Sequence, residues 1–219
     1  MIPLKDENPT KTFPFVTITI IAINVLVFIY ELNLGSQLED KITEFAVIPY
    51  NIIHMRNPGV LLTLITSLFF HAGFAHVFGN MLYLWIFGNN IEDAVGHLKF
   101  VVFYLICGLA GSYLHILTAK SSNLPTIGAS GAISGILGAY IVLYPRAKIL
   151  ALVPTFGFIR LVKVPAYFFL GFWILLQLLY GLPSLAAAAS EGGVAWFGHI
   201  GGFLAGLILI HFFRKKDDV

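Results

Sequence analysis

Apolar residues crowd into six stretches of the chain, at about 13–31, 72–91, 98–118, 130–145, 166–183 and 196–213, with polar or Gly/Pro-rich breaks between them. A helix needs roughly 20 apolar residues to cross a bilayer core, so the pattern predicts an all-α polytopic membrane protein with six transmembrane helices. The first run follows Met1–Thr12, which holds Lys5, Asp6, Glu7, Pro9 and Lys11. No small-residue cleavage site comes after it, so it reads as a retained span and not as a signal peptide. The fourth run is the shortest, and a helix there would leave its outer end below the membrane surface. The long connection 32–70 carries its own apolar stretch at Val60–Phe70. It is expected to fold as a partly embedded or interfacial element.

Composition sharpens this picture. Hydrophobic residues make up 58% and charged residues 11% of the 219 positions, where a soluble domain carries about 25% charged. The net charge is +2 and no basic run has interleaved aromatics, so nucleic acid is not expected as a partner. The single cysteine, Cys107, excludes an intramolecular disulfide and a Cys-based metal cluster.

The placement of Lys and Arg sets orientation. Ten of the 13 fall in the terminal tails and even-numbered loops: Lys5, Lys11, Lys99, Arg146, Lys148, Arg160, Lys163, Arg214, Lys215 and Lys216. The odd loops hold Lys41, Arg56 and Lys120. The positive-inside rule then puts both termini in the cytoplasm. The expected organisation is one membrane domain over 1–219, with cytoplasmic tails at 1–12 and 214–219. The acid-containing N-terminus does not resemble an organelle presequence, which favours a prokaryotic plasma (inner) membrane.

Polar side chains inside spans carry the chemistry. A charge at a helix centre costs roughly 2.5–3.5 kcal/mol, so each intramembrane polar group needs a reason. Three clusters qualify: His71, His76 and Asn80 in HAGFAHVFGN, Ser130 and Ser134 in GASGAISG, and His199 in WFGHIGGFLAG. Spans two, four and six all run inward in the topology above, so the three clusters share the outer-leaflet depth. Ser130 lies at a helix start beside Gly128 and Gly131, where first-turn amides lack acceptors and can face an anion. Gly131 and Gly135 on the fourth span and Gly202 and Gly206 on the sixth form small-xxx-small faces that allow close packing. That packing brings His199 within reach of Ser130.

A neutral histidine is suited to take the proton of a serine hydroxyl near neutral pH. No acidic residue is placed inside a span at the outer depth, so a Ser–His dyad is expected in place of a triad. His76 and Asn80, four apart on one helical face, can donate to a tetrahedral oxyanion together with the Ser130 amide. Bland readings stand beside these. Ser130 can be a packing residue, Ser134 is a rival nucleophile one turn deeper, and His71, His76 and His199 could ligate zinc, although no HExxH accompanies them. A transporter whose Gly-rich helix starts bind a small anion is the alternative from another class.

These residues resemble the rhomboid intramembrane serine proteases. The resemblance rests on GASG at Gly128–Gly131, HxGG at His199–Gly202 running on to Gly206, and HxxxN at His76–Asn80 preceded by His71. It covers about Ser67 to Gly206 and includes Phe87–Gly96, which looks like the family's turn after the second span. It implies Ser130 as nucleophile, His199 as general base, and His76 and Asn80 in the oxyanion hole. Glu92 and His71 would be support residues, with Gly128, Gly131, Gly202 and Gly206 as close-contact positions. No cofactor and no metal are implied. The partners implied are transmembrane protein substrates and the lipid bilayer, in a minimal six-helix bundle with a long first outer loop.

The fifth span with the Pro183–Ala195 loop would gate entry, and cut sites would carry small side chains near helix-breaking residues. A Trp-Arg pair that often precedes the second span in that family is Leu62 and Thr63 here, and the tyrosine some members carry four residues after the nucleophile is Ser134. An inactive relative that binds membrane helices without cutting them is the remaining alternative.

Overall fold

The structure is a computed structural model that describes residues 1–55, 57–155, 157–185 and 193–215. Six long helices fall on the six apolar runs: α1 (Phe15–Leu32), α2 (Phe74–Val95), α3 (His97–Thr118), α4 (Ser130–Leu143), α5 (Ala166–Ser184) and α6 (Trp196–Phe213). Four of them, α1, α3, α5 and α6, are long and apolar enough to cross a membrane on their own. Helix α2 qualifies jointly with the Pro58–Phe69 segment, from which it is bent by 80°.

Helix α4 has 14 residues, about 21 Å at 1.5 Å per residue, against a bilayer core of roughly 30 Å. Its position explains why that is enough. Every residue from Ala132 to Tyr140 is buried, so α4 runs through the middle of the bundle and meets protein on all sides. Its main partner is α6, with α3 and α2 around it. The outer helices α1 and α5 bury only 28% of their apolar windows and turn the remainder outward, as lipid-facing spans must.

Glycines set the α4–α6 distance. A Cβ built on Gly202 would collide with the Gly131 carbonyl, and one on Gly206 with the Gly135 carbonyl. A Cβ on Gly135 would in turn strike Cys107 of α3, so the lone buried cysteine is a packing residue at a three-helix contact.

One end of the bundle gathers the N-terminal tail and the chain just after α6. Strand β1 (Ile2–Asp6) pairs antiparallel with β2 (Lys148–Thr155), which pairs antiparallel with β3 (Phe158–Pro165). The register runs Ile2 to Leu152 and Lys148 to Pro165, with a bulge between Pro3 and Lys5. This sheet joins the N-terminal tail to the α4–α5 connection and adds a β element to the helical reading. Asp93, near the end of α2, accepts from the Lys11 and Thr12 amides at 2.9 and 3.0 Å. The Lys215 amide donates to the Ala94 carbonyl at 3.0 Å, bringing the chain after α6 to the same end.

At the opposite end, residues 33–55 and 57–73 fold largely as short helical turns, including Leu38–Phe45 and Pro49–His54. They are tied down by an antiparallel bridge between Val47 and Thr126 and by Phe45 stacking on Phe70 with ring centroids 4.9 Å apart. Residues 186–192 of the expected gate loop lie outside the described residues.

Candidate active site

Helix α4 begins at Ser130, so that side chain and the first-turn amides stand at the helix mouth. The approach is shaped by Gly128, whose φ of +122° is a conformation L side chains rarely adopt. A Cβ on Gly128 would also stand 2.6 Å from His76 Nε2 and 3.6 Å from Asn80 Nδ2. Glycine is therefore required twice over, and both donors lie directly across from the turn that delivers Ser130. The Gly128 amide is held by the Ser67 carbonyl at 2.8 Å, which fixes this turn against the connection between α1 and α2.

The close α4–α6 contact brings the next group in. His199 Nε2 lies 2.8 Å from Ser130 Oγ, across 69 residues of sequence. Its other ring nitrogen, Nδ1, lies 2.8 Å from Oε1 of Gln177 on α5. Gln177 is buried, and its Nε2 donates to the Trp173 carbonyl at 3.1 Å. Trp173 and Trp196 flank the imidazole, with ring centroids 5.9 and 6.3 Å away.

The structure therefore brings Ser130, His199, His76 and Asn80 to one cavity of about 650 Å³. Asn80 Nδ2 is buried there with no hydrogen-bond partner among the described residues. Ser134 also lines the cavity, but its hydroxyl donates to the Ser130 carbonyl at 2.6 Å, the usual back-bond of a serine within a helix.

His71 lies behind His76 with ring centroids 4.9 Å apart, and its amide donates to Glu31 Oε1 at 2.9 Å. Glu92 is at the other end of α2, fully buried, and accepts from the Val16 and Thr17 amides at 2.9 and 2.7 Å. It thus caps the start of α1 and takes no part in the cavity.

Three features differ from the sequence reading. A carboxylate does lie in an apolar run at the cavity end of the bundle: Glu31, in the last turn of α1, is buried. It serves the His71 backbone and not His199, because α1 packs on α2, away from α6. His115, which was not among the expected site residues, lines the cavity and pairs through Nε2 with Thr126 Oγ1 at 3.0 Å. Gln177 was not among the expected site residues, although a lone amide in the run YFFLGFWILLQLLYG is the same kind of signal that singled out Ser130 and His199.

The Rhomboid domain family model matches residues 58–216, a stretch that contains every one of these cavity groups. The chain belongs to the rhomboid family. Among its rhomboid relatives, Rhomboid protein 1, mitochondrial, of Saccharomyces cerevisiae is 31% identical over 161 residues, covering 72% of this chain and 43% of that protein. The rhomboid protease GluP of Bacillus subtilis is 33% identical over 153 residues, 69% of this chain and 28% of GluP. The rhomboid protease AarA of Providencia stuartii is 27% identical over 206 residues, 88% of this chain and 70% of AarA. This chain thus spans less than half the length of the first two relatives.

Proposed function

We propose that this rhomboid domain is an intramembrane serine endopeptidase in which Ser130 is the nucleophile and His199 the general base. The observation that carries the reading is the 2.8 Å contact between Ser130 Oγ and His199 Nε2 inside a cavity. Two of the relatives are named as rhomboid proteases, which agrees with it.

In the reaction, His199 Nε2 takes the hydroxyl proton as Ser130 Oγ bonds to the scissile carbonyl carbon. The carbonyl oxygen becomes an oxyanion, received by the Ser130 amide, Asn80 Nδ2 and a His76 N–H. The intermediate collapses, the C–N bond breaks, and the proton on Nε2 passes to the leaving amine. Water then enters and His199 takes its proton. The hydroxide adds to the acyl carbon, and Ser130 leaves with the proton returned.

The substrates are transmembrane proteins, cut in or near a membrane-spanning helix at the outer-leaflet side. Their helix must unwind locally, because a helical carbonyl is already hydrogen-bonded and sterically covered. All six long helices are spans in this reading, in a single domain over 1–219. The end that carries the sheet and the N-terminal tail is cytoplasmic, as the charge distribution supports, and the acid-containing N-terminus favours a prokaryotic inner membrane.

The test is labelling of the detergent-solubilised protein with a serine-reactive fluorophosphonate. Labelling is expected in wild type and in Ser134→Ala, and its loss in Ser130→Ala and His199→Ala. A folded wild type that takes no label with probes of several sizes would overturn the reading in favour of an anion transporter or an inactive helix binder.

A further inference from the structure

We infer that Gln177 is a positioning residue for His199, an uncharged third member that fixes which imidazole nitrogen carries the proton. The inference rests on the serine-protease reading above and deepens it.

Donor and acceptor logic carries it. The Trp173 carbonyl can only accept, so the Gln177 group facing it at 3.1 Å is the amide nitrogen. That orientation turns Oε1 toward the imidazole, at 2.8 Å from Nδ1. Oε1 is also only an acceptor, so the proton of neutral His199 resides on Nδ1. Nε2 is left with its lone pair toward the Ser130 hydroxyl, 2.8 Å away. One backbone carbonyl of α5 thereby sets the protonation pattern of the whole chain, through an amide and an imidazole to the nucleophile. Without Gln177 the opposite tautomer, with its proton on Nε2, would donate to Ser130 and could not accept from it. A wrong tautomer of this kind is costly in triad enzymes.

The choice of an amide also has a physical reason. Gln177 is 5% exposed on a helix whose other face meets lipid. A permanently ionised carboxylate there would cost desolvation at every stage of the cycle. A carboxamide accepts the same Nδ1–H bond without that charge. When His199 becomes an imidazolium during the reaction, the bond to Oε1 persists and strengthens, because a charged donor makes the stronger hydrogen bond.

The experiment follows fluorophosphonate inactivation of the purified protein across pH, separating the limiting rate from the half-saturating probe concentration, for wild type, Gln177→Met and Gln177→Glu. Met fills a similar volume but offers no oxygen acceptor. It is expected to lower the limiting rate about tenfold or more, with half-saturation unchanged within about twofold and melting temperature preserved. Glu restores an oxygen acceptor for Nδ1–H, so the limiting rate is expected to recover toward wild type.

A Gln177→Met protein with wild-type rate and pH profile would overturn the positioning role. So would equal losses in both variants that track a lowered melting temperature. A wild type that does not react at all would instead overturn the serine-protease reading, and the positioning role with it.

Discussion

Gly202 of α6 lies so close to Gly131 of α4 that a single added methyl would overlap the Gly131 carbonyl. Ser130 immediately precedes Gly131, and His199 is three residues before Gly202, so the same approach that admits no methyl sets the Ser–His distance. Gly202→Ala is expected to wedge the two helices apart at a cost of about 1–3 kcal/mol and to abolish fluorophosphonate labelling. Thermal unfolding in detergent, measured with the labelling, checks both. A stable Gly202→Ala protein that still labels would show that the glycine contact does not control the distance.

Asn80 should separate activity from stability. Its buried Nδ2 has no partner among the described residues, so Asn80→Ala removes an unsatisfied donor and the melting temperature should hold or rise. The labelling rate should fall by about 10²-fold if Nδ2 stabilises developing negative charge. Equal rates in variant and wild type would remove Asn80 from the oxyanion hole.

The converse is expected of Glu92. Its carboxylate serves the first-turn amides of α1 and the Thr17 hydroxyl, with no water-exposed surface to compensate their loss. Glu92→Ala is expected to cost about 3 kcal/mol of unfolding free energy while the remaining folded protein labels at the wild-type rate. Loss of labelling in a fully folded variant would count against a purely structural role.

Acidification should loosen the N-terminal strand. Lys163 of β3 pairs with Glu7 and its hydrogen bond holds the Glu7 carboxyl below its ordinary range. A carboxyl lowered in the folded state stabilises above its unfolded value near 4.5 and loses that contribution as pH falls through the folded value. Asp6, pushed up by burial, acts in the opposite direction. Hydrogen exchange of the Ile2–Asp6 amides in wild type and Lys163→Ala separates the two. Protection of these amides, taken relative to intrinsic exchange at each pH, should fall below about pH 4 in wild type, and the variant should lack that step.

Much of the bundle and the cavity was legible because lipid makes polar residues conspicuous. Ser130, His76, Asn80 and His199 stand out from apolar runs, and one shared depth is enough to gather them. Gln177 is equally conspicuous, but its partner depends on how α5 is rotated about its own axis against α6, which spacing along one chain does not encode. Glu31 was passed over because it sits at the edge of its run, where a carboxylate normally reaches water. The β2–β3 hairpin was hidden by Pro154 and Gly157, which break the run 148–165 and suggest a loop. The apolar and β-branched residues of IRLVKV become meaningful only once the N-terminal tail is there to pair with β2.

The three groups in line at the cavity do not belong to equally fixed parts of the molecule. Ser130 and His199 are mounted on helices that touch backbone to backbone, whereas α5 approaches its neighbours through side chains such as that of Trp196 against Gly181. Any sideways excursion of α5 would uncouple Gln177 first and leave Ser130 and His199 in contact. On the proposed reading such a state idles, with its reacting atoms assembled but its proton wiring open, reversed by reseating a single helix.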